Sequence, residues 1–126
     1  MTHPHRSRAA ALRLAGLLIV AGSLHFVVPR FFDAIVPRYL PGDVRTYTYA
    51  SGAAELAIGV SLVNPATRRL GATLAMLLFI AVFPANVQMA VDWLRNDQIP
   101  AAGKAGVVAR LPLQIPLILE ARKARG

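Results

Sequence analysis

The chain has 126 residues, of which 56% are hydrophobic, and its formal net charge at pH 7 is +8. A soluble domain of this length has too little interior to bury so much apolar surface, so lipid has to cover the remainder. The basic residues lie at the chain ends and between apolar stretches, which indicates membrane flanks and argues against nucleic-acid binding. The chain has no cysteine, which excludes disulfides, thiol redox chemistry, cysteine-ligated iron–sulfur clusters and covalent haem within it.

Four apolar segments predict an all-α, integral membrane four-helix bundle. The third segment is long enough to cross a hydrocarbon layer of ~30 Å at 1.5 Å per residue. The fourth is the least apolar, because it holds Arg110, Pro112 and Pro116. The predicted spans are 12–28, 47–63, 70–91 and 102–121.

Basic residues are distributed unevenly between the two ends of these helices. One end carries Arg6, Arg8, Arg13, Arg68, Arg69, Arg122, Lys123 and Arg125. The other end carries Arg30, Arg38, Arg45, Arg95 and Lys104, which Asp33, Asp43, Asp92 and Asp97 offset. By the positive-inside rule the first end faces the cytoplasm, so we expect both termini in the cytoplasm of a bacterial inner membrane.

The first apolar segment also fits a cleavable signal peptide. Basic residues from Arg6 to Arg13 precede a short apolar core, and Ala21-Gly22-Ser23 fits a cleavage site. The apolar run continues past that site, however, and three remaining spans would leave the C-terminal basic cluster outside. We therefore favour a retained first helix and a single domain over residues 1–126.

The first outer loop, residues 29–46, mixes apolar and aromatic residues with Arg and Pro. Its apolar members are Phe31, Phe32, Ile35, Val36, Tyr39 and Leu40. We expect this loop to lie on the outer interface as short helical pieces, in an aromatic belt with Tyr47, Tyr49 and Trp93.

Five polar residues interrupt the predicted spans: His25, Glu55, Asn86, Arg110 and Gln114. Counted from the outer end of each helix at 1.5 Å per residue, all five fall within ~15 Å of the outer face. The sequence therefore predicts one polar layer built from all four helices. An unpaired charge in hydrocarbon costs at least ~2.5 kcal/mol, so Glu55 and Arg110 are the expected ion pair.

Further residues are predicted to support this layer. Ser51, Glu55 and Gly59 recur at i, i+4 and i+8, which predicts a stripe suited to close helix contact. The prolines that free backbone carbonyls near the layer are Pro84, Pro112 and Pro116. Asn86 and Gln88 are the side chains expected to satisfy such carbonyls.

The polar layer also has a purely structural interpretation. Buried Glu–Arg and Asn–Gln contacts often join helices and set their register without binding anything. His25, as a single imidazole, fits a haem ligand, a proton carrier, a quinone partner or a structural histidine. The sequence has no phosphate loop, nucleophile elbow or cluster at metal-ligand spacing, so no autonomous catalytic or metal site is predicted.

Several short motifs resemble the DoxX family of small bacterial membrane proteins. In chain order they are Ala21 to Phe26 with Pro29, Phe31-Phe32, Ile35-Val36-Pro37, Leu40-Pro41, Ser51-Gly52 with Glu55 and Gly59, Asn64-Pro65 with Thr67 to Arg69, Val82 to Asn86 with Met89-Ala90, and Arg110 to Gln114. The resemblance implies a four-helix bundle, a link to membrane-associated oxidoreductases and oxidative-stress defence, and a quinone or partner protein as ligand. It also implies that the polar-layer residues are those that recur in the family motif.

Three functions are consistent with these features. In the first, the chain is a non-catalytic accessory subunit that binds a quinone or small amphiphile, has no intrinsic cofactor and depends on a membrane redox partner for electrons. In the second, it is a structural or assembly protein without a ligand. In the third, it is a proton or solute conductor, which requires a homo-oligomer because four short helices hardly enclose a water path.

Overall fold

The computed structural model describes residues 4–34, 36 and 40–126, and of residues 4–6 it describes only the backbone. This part of the chain is all-α, without a β-strand. Its helices are α1 (Pro4–Val27), α2 (Pro29–Asp33), α3 (Val44–Val63), α4 (Arg68–Arg95) and α5 (Ala101–Arg125). The all-α prediction is confirmed. The described residues form five helices rather than four, because the segment between α1 and α3 contains the short helix α2.

The four long helices form a ring in which α1 packs on α3, α3 on α4, α4 on α5 and α5 on α1. At one end of the ring, the Ser7 hydroxyl donates to the carbonyl of Ala124 at 3.0 Å, and the Arg13 guanidinium lies 2.6 Å from Glu120 Oε1. These two contacts join the start of α1 to the end of α5. α1 and α5 are therefore antiparallel.

The core at this end of the bundle consists mainly of alanine and leucine. Its buried members are Ala10, Ala11, Leu14, Ala15, Leu18, Ile58, Leu62, Ala72, Ala75, Phe79, Ala121 and Ala124. Small side chains allow helices to approach closely, as is typical of packing in membranes. Five of these residues come from α1, so the first helix is part of the core.

Glycines set the close approach of α1 to α3. A Cβ atom on Gly52 would lie 2.6 Å from the Cβ of His25, and one on Gly59 would lie 2.7 Å from Cγ1 of Ile19. The predicted contact stripe is thus corrected at one position, because Ser51 is exposed and Gly52 lies in the interface. Two helical turns span about seven residues, so Gly52 shares the face of Gly59 more closely than Ser51 does.

Three helices are long and apolar enough to cross a membrane: Ser7–Val27 within α1, Arg68–Arg95 and Ala101–Arg125. Large apolar side chains are exposed on all three, including Val20, Leu70 and Ile115, each at least 60% exposed. Such a surface indicates a membrane protein. Of the four predicted spans, the structure supports 12–28, 70–91 and 102–121. Span 47–63 lies in α3, which is not apolar enough to be counted with these three helices. Glu55 and many hydroxyl-bearing residues lower its mean hydropathy.

The turns between helices are defined by local hydrogen bonds. Gly42 has a φ of 92°, which glycine tolerates, and it directs the chain into α3, where the Asp43 carboxylate accepts from the backbone N–H of Arg45 at 3.0 Å. At the far end of α3, Arg68 donates to the carbonyls of Leu62 and Val63 at 3.1 and 3.2 Å. Its positive charge also complements the negative end of the helix dipole.

The predicted short helical piece in the first outer loop is present as α2, and its position on the membrane interface stays a prediction. Ile35, Arg38 and Tyr39, which belong to the predicted loop, lie outside the described residues.

Candidate ligand site in the polar layer

The polar residues predicted for the bundle interior fall into two groups. His25 and Glu55 lie together where α1 packs on α3, and Asn86, Arg110 and Gln114 lie together where α4 packs on α5. Each of the four long helices therefore contributes polar side chains to the bundle interior.

Gln114 is the centre of the α4–α5 group and is only 2% exposed. Its amide nitrogen donates to the backbone carbonyl of Phe79. Its amide oxygen accepts from Arg110 Nη1 at 2.9 Å and, more weakly, from Asn86 Nδ2 at 3.4 Å. Because both ends of its amide are satisfied by the protein, Gln114 serves to hold the two helices together.

The direct ion pair expected between Glu55 and Arg110 is not found among the described residues. Arg110 donates to Gln114 instead, and Glu55 Oε2 lies 3.6 Å from His25 Nδ1. Arg110 and Gln114 are four residues apart on one helix face, so the guanidinium reaches this partner without crossing the bundle.

His25 is 7% exposed and its ring is held on two sides. Nδ1 lies 2.7 Å from the carbonyl oxygen of Ala21, one turn earlier in α1. The ring also stacks on Phe32 of α2, with 3.7 Å between centroids and 19° between planes. The sequence predicted Phe32 only as an interfacial residue. Helical spacing could not have placed it against His25, because the chain bends at Val28 between α1 and α2.

Glu55 carries the one side-chain oxygen that is fully buried and without a hydrogen-bond partner in the described part of the chain, Oε2. The Glu55 side chain as a whole is 19% exposed. Leaving a buried polar atom unpaired costs about 1 to 3 kcal/mol. Oε2 is therefore the atom of the polar layer with unused hydrogen-bonding capacity.

Two secondary residues of the predicted site lie away from the layer. Ser51 is exposed on the surface of α3. Gln88 donates to Asp92 Oδ1 at 3.0 Å, at an exposed position near the C-terminal end of α4. Neither side chain contacts a residue of the polar layer through a hydrogen bond recorded for the described residues.

A polar network at the N-terminal end of α3 was not anticipated from the sequence. The Thr48 hydroxyl donates to Asp33 Oδ1 at 2.5 Å, and Arg45 Nε donates to Asp33 Oδ2 at 3.0 Å. The Thr48 hydrogen bond, followed by the Arg45 contact, holds the pKa of Asp33 below its ordinary value. The loop between α2 and α3 separates these residues, so their pairing has no signature in local spacing.

An open cleft of about 1220 Å³ lies at the same end, between the start of α3 and the connection from α4 to α5. Its lining includes Asp33, Met89, Asp92, Trp93 and Ile99. Met89 follows Asn86 by three residues, so the cleft lies about one helical turn from the α4–α5 group.

Three helices of membrane-spanning length, a ring of four long helices and a polar layer inside it define a small α-helical membrane protein. The chain belongs to the family described as a domain of unknown function, DUF8561, whose family model matches residues 14–125. No curated protein and no solved structure matches the chain.

Proposed function

We propose that the chain is a DoxX-like, four-span protein of the bacterial inner membrane that binds a quinone or a similar small amphiphile. In this proposal it is a non-catalytic subunit of a membrane-associated redox or stress system. The observation that carries it is the buried, unpartnered Oε2 of Glu55 beside the fixed ring of His25. A carboxylate oxygen in that state gains free energy from any ligand that completes its hydrogen bonds.

The inclusion of α3 as the fourth span rests on its packing. Gly52 of α3 lies against His25, and Gly59 lies against Ala15 and Ile19, so α3 runs antiparallel to α1 over much of its length. Because α1 is long and apolar enough to cross a membrane, the packing of α3 along it supports a crossing by α3 as well. α3 also exposes apolar side chains, with Val60 62% and Val63 48% exposed. Four spans with the basic end inside place both termini in the cytoplasm.

The ligand contacts in this proposal come from both groups of the layer. Arg110 uses Nη1 for Gln114, which leaves the rest of its guanidinium for a headgroup oxygen. His25 and Glu55 face the headgroup from α1 and α3. Asn86 makes only the long contact to Gln114 and can add a second donor. Electrons would come from a partner protein, since quinone chemistry needs a donor and this chain has no redox group of its own.

One observation favours the alternative of a structural or assembly protein. The hydrogen bonds of Gln114 are complete within the protein, so the α4–α5 group alone accounts for helix joining without a ligand. Under this alternative, Glu55→Gln lowers stability and changes no ligand. Under our proposal it removes a ligand contact.

The test is native mass spectrometry with organic extraction of lipids and quinones from the full chain in mild detergent. We expect a stoichiometric quinone or amphiphile in the wild type, and its loss in Glu55→Gln and Arg110→Ala. Glu120→Gln is the matched control, because Glu120 pairs with Arg13 at the other end of the bundle and should retain the ligand. An empty wild-type protein that co-purifies with a defined membrane partner would favour the assembly role and contradict our proposal.

A further inference from the structure

We propose that the basic end of the bundle is a docking surface for anionic phospholipid headgroups, which the protein holds in preference to zwitterionic ones. The basic end is the end at which α1 begins, α5 ends and the turn from α3 to α4 lies. It carries five exposed basic side chains, those of Arg8, Arg69, Arg122, Lys123 and Arg125. The inference goes beyond the proposed function and does not depend on the ligand of the polar layer.

α1 and α5 bring three of these side chains to one level of the bundle. The Ser7 hydroxyl donates to the carbonyl of Ala124 at 3.0 Å. Arg8 and Arg125 follow these two residues directly, so both lie at the level of this contact. Arg122 precedes Arg125 by three residues, which places the two on one face of α5. The start of α1 and the end of α5 therefore present their positive charges together.

The turn between α3 and α4 lies at the same end. A Cβ atom on Gly59 of α3 would lie 3.3 Å from the carbonyl oxygen of Ala15 in α1, so the end of α3 lies near the start of α1. Ala72 of α4 is buried in the same apolar core as Ala10 of α1. Arg69 precedes Ala72 by three residues, and its charge therefore adds to those of α1 and α5.

The positive charge at this end is not neutralised within the protein. Glu120 is the one acidic residue there, and its Oε1 lies 2.6 Å from Arg13 Nη2. Arg68 donates to backbone carbonyls at the end of α3. In the described part of the chain, none of the five basic side chains that define the surface donates to a protein acceptor. Their charges are free to meet a negatively charged partner.

The opposite end of the bundle differs in charge. Arg45 there pairs with Asp33 at 3.0 Å, and Asp43, Asp92 and Asp97 offset the other basic residues. The helices that join the two ends are shared, so their apolar surfaces cannot account for a difference in lipid preference between the ends. Complementarity to a negatively charged surface is thus a property of the basic end.

An acidic phospholipid fits the basic end by depth as well as by charge. α1, α4 and α5 are long and apolar enough to cross a membrane, so basic side chains at their ends lie at the level of the headgroups. Arginine binds phosphate oxygens through paired N–H groups. Each basic residue near an anionic lipid surface strengthens binding about fivefold. A zwitterionic headgroup has no net charge and gains much less.

The experiment uses native mass spectrometry to measure the dissociation constants of single lipids from the delipidated full chain in mild detergent. Palmitoyl-oleoyl phosphatidylglycerol is compared with the phosphatidylcholine that has the same acyl chains, so that headgroup charge is the variable. We expect the wild type to bind the phosphatidylglycerol at least ~tenfold more tightly. The triple variant Arg8→Gln, Arg122→Gln, Arg125→Gln should reduce this preference to less than about threefold.

The matched control removes three charges from the opposite end. The triple variant Arg30→Gln, Arg95→Gln, Lys104→Gln should keep the wild-type preference. Free glycerol phosphate in excess should not displace the bound lipid, because it lacks the acyl chains that hold a headgroup at the membrane surface.

Three results would overturn the inference. The first is equal affinity of the wild type for the two lipids. The second is an equal loss of preference in the two triple variants, because net charge and not the basic end would then set it. The third is displacement by free glycerol phosphate, which would assign the surface to a soluble phosphate compound. The wild-type comparison decides the question even if a triple variant does not fold.

Discussion

The side-chain amide of Gln114 donates a hydrogen bond to the backbone carbonyl of Phe79, and this bond joins the middle of α5 to α4. The amide oxygen of Gln114 in turn accepts from Arg110 and Asn86. One buried side chain therefore satisfies a backbone group on a neighbouring helix and positions two other polar residues of the layer.

Replacing Gln114 with leucine should destabilise the bundle. The variant leaves the Phe79 carbonyl without this donor and removes the acceptor of Arg110, which costs about 1 to 3 kcal/mol in the free energy of unfolding. The measurement is a denaturant titration in detergent, followed by circular dichroism. Gln88→Leu is the control, because the Gln88 amide bonds only to Asp92 at the surface, and its loss should cost less than about 0.5 kcal/mol. Equal losses in the two variants would contradict the structural role of Gln114.

Replacing Gly52 with alanine should separate α1 from α3. The added methyl would lie 2.6 Å from Cβ of His25 and 2.9 Å from Cε2 of Phe26, so the helices have to move apart, at a cost of about 1 to 3 kcal/mol. Gly16→Ala is the matched control in α1, because no atom lies within 4 Å of its added methyl. Since alanine favours a helix over glycine by up to about 1 kcal/mol, the control should stabilise the protein. Thermal unfolding in detergent measures both effects, and a stabilising Gly52→Ala would disprove the close contact.

The number of spans can be tested by the side of the membrane on which the loops lie, because four spans and three spans predict opposite sides. With α3 crossing the membrane and the N-terminus inside, Ala66 and Gly126 face the cytoplasm and Asn96 faces outward. If α3 does not cross, all three positions exchange sides. The chain has no cysteine, so Ala66→Cys, Asn96→Cys and Gly126→Cys each create a single reporter. We expect a membrane-impermeant maleimide to label intact spheroplasts only at position 96, and lysed membranes at all three positions.

The polar network around Asp33 at the N-terminal end of α3 should make stability sensitive to acid. The hydrogen bond from Thr48, followed by the contact with Arg45, lowers the pKa of Asp33 from its ordinary value of 3.8. Its stabilising effect is therefore complete above about pH 4 and is lost as the pH falls through the lowered pKa. Thermal unfolding between about pH 7 and pH 3 should show this loss, and Asp33→Asn should reduce it.

A matched surface variant separates this effect from general acid destabilisation. Asp92→Asn, at the same end of the bundle, should keep the wild-type dependence on pH. Thr48→Val should move the pKa of Asp33 back toward its ordinary value, as measured by NMR titration of the carboxyl carbon. An acid profile for Asp33→Asn that matches the wild type would disprove the contribution of this network.

Several parts of the structure were predictable because they depend on local sequence. The long helices follow from the apolar segments, and the polar layer follows from polar residues that interrupt those segments at a common depth. The prediction of Ser51 as a contact residue was one residue away from the observed one, Gly52. It arose because positions seven and eight residues apart lie on similar faces of a helix. The structure does not show the predicted ion pair between Glu55 and Arg110, because Arg110 donates to Gln114 on its own helix.

The sequence by itself determined the helical class of the protein, its apolar character and which residues form the polar layer, because these depend on hydropathy and helical spacing. Only the tertiary structure decided which of these residues contact one another. The stacking of His25 on Phe32, the bond from Gln114 to Phe79 and the pairing of Thr48 with Asp33 join different helices, so they depend on how the helices pack.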